Sequence, residues 1–194
     1  MFQHLSAYSA KKSAVCLTIL LSVLGHPAAY SQVTVIGGGI AHDCYEAAKY
    51  KNVSPGKGED ICTRAIQLEA MTPAIRAATY TNRGVMRMRD GEYEAALSDY
   101  AIAQKMAPET GEIYLNEGAA YIFTKNYTAA LTSLDMAIEL KSTDLHAAYY
   151  NRAIAREKLG DAAGAYGDFK MALELKPDWE MAAWQLTRFT VTTN

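Results

Sequence analysis

The sequence predicts an all-α chain built as a stack of helix-turn-helix units, and three observations carry that prediction. Aligning Gly84 with Gly118 and Ala153 gives spacings of 34 and 35 residues. The same spacings recur at Ala96, Ala130 and Ala165, at Tyr100, Leu134 and Phe169, and at Ala103, Ala137 and Ala172. Chemically different positions that keep one register are the mark of a repeat architecture. The third observation is composition: of 194 residues 50% are hydrophobic, 21% are charged and only five are proline. That balance leaves room for a sizeable core and excludes sustained disorder. A formal net charge of −2 lacks the basic footprint of a nucleic-acid-binding domain.

The chain opens with an export signal. Lys11 and Lys12 precede the apolar run Ala14 to Leu24, and Gly25, Pro27 and then small residues follow it. Charge, apolar core and small-residue site in that order make a secretory signal peptide, with cleavage expected after Ala29-Tyr30-Ser31. Residues 1–31 are therefore assigned as leader, and the apolar run falls well short of the roughly 20 residues that span a bilayer. No later stretch approaches that length, so no stable membrane insertion is expected after cleavage. Losing the two lysines moves the formal charge from −2 to −4, which slightly favours a basic partner.

Residues 32–76 form an extended lead-in and a degenerate helical pair. Val33 to Ala41 (VTVIGGGIA) has the look of the first strand and glycine turn of a dinucleotide-binding domain. The third fingerprint position is His42, however, and no second strand ending in an acid follows; Glu59 and Asp60 open a helical segment instead. A lone strand builds no cofactor sheet, so no cofactor is expected and the glycines are assigned to the turn into the first helix. Two probable helices follow, AHDCYEAAKY and EDICTRAIQLEA, joined by the breaker-rich NVSPGKG. Cleavage would remove Cys16 and leave Cys44 and Cys62, in a compartment where disulfides persist. A structural disulfide between them is the favoured reading and two free buried thiols the other. Zinc is not expected, because it would need four ligands and His42 is the only nearby imidazole.

The repeats span residues 77–179, as 77–110, 111–145 and 146–179, the second carrying one extra residue near its end. Each has an aromatic, Tyr80, Tyr114 or Tyr149, four positions before the small residue at which two helices approach. Pro108 and Pro177 close the first and third repeats, and Ser142 takes that place in the second. Period and pattern resemble the tetratricopeptide repeat. The resemblance implies a right-handed superhelix whose concave face binds peptides or proteins, with no enzymatic activity in the repeats. Stacks need terminal units that close the core, so residues 32–76 and 180–194 are assigned as caps. After Pro177, DWEMAAWQLTRF is expected to be helical with Trp179, Ala183 and Leu186 on one face.

Comparing the repeats with one another singles out two sets of residues. Arg83 with Asp99, and Arg152 with Asp168, occupy matching places in repeats one and three, whereas repeat two has Glu117 and Ser133. Joint loss of base and acid suggests ion pairs between the helices of one unit. Asn82, Asn116 and Asn151 share one register in all three repeats, a place that in related superhelices faces the concave groove. An amide offers donors and an acceptor, which suits recognition of an extended peptide backbone. Bonding to a neighbouring helix is the alternative. Some members of the family grip a terminal carboxylate with Lys and Arg; the corresponding residues here are Thr81, Val85, Ala147 and Asn151, and only Asn116 fits that clamp.

No catalytic constellation emerges: His42 and His146 lack a neighbouring nucleophile signature. The sequence therefore reads as an exported, non-enzymatic module that binds a protein or peptide partner. The alternatives are a structural subunit of an envelope complex using convex or edge faces and, remotely, a dinucleotide-binding enzyme. Replacing the three asparagines by alanine is expected to weaken partner capture and leave the melting temperature nearly unchanged.

Overall fold

A computed structural model describes residues 15–19, 28–35, 38–50 and 52–193, with residues 15–19 and 191–193 as backbone. Most of the expected leader, including Lys11, Lys12 and Gly25 to Pro27, lies outside the described residues. Among these are nine helices: α1 (Ile40–Tyr50), α2 (Pro55–Leu68), α3 (Pro73–Asp90), α4 (Tyr93–Met106), α5 (Gly111–Phe123), α6 (Tyr127–Glu139), α7 (Leu145–Lys158), α8 (Ala162–Leu175) and α9 (Glu180–Leu186). Each helix packs on the next, and α3, α5 and α7 also meet one another in series. The first helices of the three repeats thereby form one continuous inner face.

Local chemistry sets the starts of these helices. Pro55 and Pro73 stand at the first turns of α2 and α3, where a missing N–H costs nothing. Thr72 caps α3 by accepting from Ile75 N at 3.3 Å, and Asn126 caps α6 by accepting from Ala129 N at 3.3 Å. The Pro73 start places the first turn of α3 before the boundary expected at residue 77, because Thr72-Pro73 is itself a helix-start signal.

The repeating small residues are where helices touch. Ala96, Ala103, Ala130, Ala137, Ala165 and Ala172 are all fully buried. A Cβ on Gly84 would run into the ring of Tyr100, so the α3–α4 approach requires the absence of a side chain there. In repeat three the pair is Ala153 with Phe169, both fully buried. The disulfide joins Cys44 of α1 to Cys62 of α2, with Cα atoms 4.7 Å apart. It lies in a small core with Ala48, Val85 and Met86, tying the N-terminal pair to α3.

The C-terminal cap differs from the expectation. Helix α9 is short, its buried residues are Ala182 and Gln185, and Trp179 serves as its N-cap. Gln185 donates to the Tyr150 hydroxyl at 3.2 Å, a polar contact beside the apolar seat that Ala182, Trp179 and Leu186 make on the core. Beyond it, β2 (Phe189–Thr193) pairs antiparallel with β1 (Val15–Ile19), Val15 opposite Thr193. Phe189 anchors that end by packing against Tyr166 and Phe169.

Candidate peptide groove

Helices α3, α5 and α7 each place one asparagine on the inner face, and all three side chains are fully buried. What buries them is the chain's own segment 28–35, which runs extended through the groove. The Asn82 amide donates to Val33 O at 2.8 Å and accepts from Val33 N at 3.0 Å. Asn116 does the same to Ser31, with both bonds at 2.7 Å. Asn151 accepts from Ala29 N at 2.8 Å and donates to Ala29 O. Each side chain thus imitates the paired bonds that a neighbouring strand offers.

The register follows from strand geometry. Alternate residues of an extended chain point their N–H and C=O to the same side. Ala29, Ser31 and Val33 are such a set, one per repeat, and the segment runs from repeat three back to repeat one. The groove's occupant thus spans the boundary between the expected leader, residues 1–31, and the lead-in expected from Gln32 onward. The asparagines bond to this segment and not to a neighbouring helix, which removes the expectation that their loss leaves the melting temperature unchanged.

Side-chain contacts reinforce the main-chain ladder. The Ser31 hydroxyl donates to the carboxylate of Asp144, the residue preceding α7. Ala28, Ser31 and Val35 are buried, while Thr34 is exposed. The Arg89 guanidinium lies 5.9 Å from the Tyr30 ring centroid. Beside Val33 and Thr34 a cavity of about 290 Å³ opens against Ala74, Ile75 and Ala78 of α3 and Ile113 of α5.

Past the groove the chain turns at Gly39 (φ 103°), where Glu69 occupies the space a Cβ would take. The Glu69 carboxylate accepts from Ala41 N at 2.8 Å, capping α1. Gly39 thus serves the entry into α1, Ile36 and Gly37 lie outside the described residues, and Val33 is bonded to Asn82 where a dinucleotide-binding domain would place it in a parallel sheet.

The charged residues singled out by the repeats lie on the other side of the inner helices. Arg83 grips Asp99 through Nε at 2.9 Å and Nη2 at 2.7 Å. Arg152 grips Asp168 in the same way, with both contacts at 2.8 Å. A second arginine one turn on joins each carboxylate, Arg87 at 3.0 Å and Arg156 at 2.8 Å. Burial alone would lower the pKa of Arg152, but the bonds it donates to Asp168 and Asp135 outweigh that and raise it. In repeat two Ser133 donates to the Glu117 carboxylate at 2.7 Å, so a hydroxyl–carboxylate bond fills the slot of the ion pair. Sequence reasoning missed Arg87 and Arg156, although both recur four residues after a paired arginine. It also missed Asp144 and the groove-bound segment, for which no repeat supplies a pattern.

The nine helices form a stack of the tetratricopeptide-repeat kind, and residues 111–144 match the family model described as Tetratricopeptide repeat. Among curated relatives the chain is 39% identical over 66 residues to Protein STIP1 homolog of Dictyostelium discoideum, covering 34% of this chain and 12% of that protein. It is 32% identical over 93 residues to Hsc70-interacting protein 1 of Drosophila melanogaster, covering 48% of this chain and 24% of the relative. The chain thus spans a quarter or less of these relatives' length. Among solved structures, the second TPR domain of human RPAP3, in complex with the HSP70 peptide SGPTIEEVD, superposes with a TM-score of 0.55 at 27% identity, covering 59% of this chain and 95% of that one. The crystal structure of MamA matches with a TM-score of 0.62 at 18% identity over 78% of this chain and 82% of that one, a likeness of fold.

Proposed function

We propose that this chain is an exported, non-enzymatic peptide-binding module whose concave face reads an extended main chain through Asn82, Asn116 and Asn151. The observation that carries this reading is the ladder of paired amide bonds to alternate residues of segment 29–33. Six bonds to backbone and few to side chains favour ligands by conformation more than by sequence. The RPAP3 domain, solved with an HSP70 peptide, supports peptide binding by this fold. Capture of a terminal carboxylate fits poorly, since Thr81, Val85 and Ala147 stand where basic residues would be needed and all three are buried. Export is supported by the Lys11-Lys12 and apolar sequence pattern and by the Cys44–Cys62 disulfide, a bond that persists in oxidising compartments.

The test is a titration with a labelled peptide copying residues 28–35, alongside versions N-methylated at single positions. Methylation at the places of Ala29, Ser31 or Val33 removes a bonded N–H and is expected to weaken binding tenfold or more. Methylation at the places of Tyr30 or Gln32 is expected to be tolerated. Equal loss at all five places would defeat the main-chain reading.

A further inference from the structure

Segment 28–35 is seated in the groove as a ligand would be, and its chemistry describes what the groove accepts. It carries no formal charge, bears small side chains at Ala28, Ala29 and Ser31, and presents a hydroxyl to Asp144. We propose that this segment is a built-in copy of the groove's ligand, that it occludes the groove in cis, and that partners are extended, uncharged peptides with Ser or Thr opposite Asn116. The proposal rests on the peptide-binding reading above and adds to it the ligand class and a gate.

Two observations make the gate a competition rather than a permanent plug. The three rungs straddle the junction expected to be cleaved: Ala29 and Ser31 lie before it and Val33 after it. Cleavage between Ser31 and Gln32 would carry away the partners of Asn116 and Asn151 and leave one rung. The segment is also joined to α1 through only four residues of sequence, 36–39, so it competes at an effective concentration of about millimolar order while the chain is intact. A partner's apparent affinity then falls in proportion to the fraction of open groove. The hydroxyl preference follows from Asp144: an acidic residue at that position of the ligand would face a carboxylate, and an aliphatic one would leave its bond unmade.

The experiment uses the full chain, wild type and Ser31→Pro, titrated with a labelled peptide of residues 28–35. Proline at 31 removes both the N–H that Asn116 accepts and the hydroxyl that Asp144 accepts, loosening the strap while leaving the helices untouched; retained helical circular dichroism checks the latter. The expected result is binding at least tenfold tighter to Ser31→Pro than to wild type. Adding Asn116→Ala to Ser31→Pro should lower that affinity at least tenfold. A peptide with Glu at the place of Ser31 should bind at least tenfold more weakly than one with Ser. Equal affinity of wild type and Ser31→Pro would overturn occlusion while leaving peptide binding intact. Binding that survives Asn116→Ala, or no binding to Ser31→Pro, would overturn the peptide-binding reading itself. Equal binding of the Ser and Glu peptides would overturn the ligand class. If Ser31→Pro loses its helical signal, Ser31→Ala, which removes only the Asp144 bond, replaces it, with an intermediate gain expected and no gain counting against the gate.

Discussion

Asn116→Ala removes the middle rung of the ladder and tests whether the groove segment contributes to folding. The amide makes two bonds to Ser31, at 2.7 Å each, across 85 residues of sequence. Each bond is worth about 0.5–1.5 kcal/mol net, so the pair contributes about 1–3 kcal/mol. If the segment stayed docked, a buried N–H and C=O of Ser31 would lose their partners at about 1–3 kcal/mol each. Release of the segment into water avoids that cost, so the loss is capped by the segment's own docking energy. A loss near 2 kcal/mol lowers the melting temperature by about 4–8 °C for a chain of this size. Urea denaturation of wild type, Asn116→Ala and Asn116→Asp separates bonding from volume, because Asp keeps the shape and one acceptor but presents an oxygen to the Ser31 carbonyl. Both variants should lose stability. A loss below about 0.5 kcal/mol for both, the range of ordinary surface substitutions, would refute the reasoning.

Three further predictions concern the scaffold. In a double-mutant cycle Arg152→Ala and Asp168→Ala should be non-additive, with a coupling of about 1–3 kcal/mol read by denaturation, because the two share a bidentate contact in a network where the Asp168 side chain is only 6% exposed, while Arg156 and Asp135 keep each remaining partner paired. Reduction of Cys44–Cys62, or Cys44→Ser with Cys62→Ser, should cost about 3 kcal/mol by loop entropy for a separation of 18 residues. Burial, despite the nearby Asp144, holds the His146 pKa below its ordinary value of 6.5. The unfolded chain therefore binds the proton more readily, and stability should fall as pH drops from about 7 through that value. His146→Gln should flatten that slope, and fluorescence of Trp179, whose ring lies 5.0 Å from the imidazole, reports the transition.

What the sequence disclosed depended on repetition. The helices of the three repeats, the buried alanines and the Arg83–Asp99 and Arg152–Asp168 partners stand at matched positions, so one unit reads the others. The asparagine register was legible for the same reason. Their occupant was not, because segment 28–35 occurs once and crosses the boundary between an expected leader and an expected lead-in. Its extended form is fixed by contacts spanning 49 to 122 residues, which no local pattern encodes. At the end of the chain the apolar period of residues 178–189 suits a helix longer than the one present: α9 ends at Leu186, and Phe189, buried among the α8 aromatics, opens the strand that follows.

The most direct test of the ladder is residue-resolved amide hydrogen exchange across the groove segment of the full chain. Three asparagines that accept from alternate residues should protect the amides of Ala29, Ser31 and Val33 and leave those of Tyr30 and Gln32 fast. Asn116→Ala should abolish protection at Ser31 first. Uniformly fast exchange from Ala29 to Val33, or protection without alternation, would contradict a groove that reads the extended main chain.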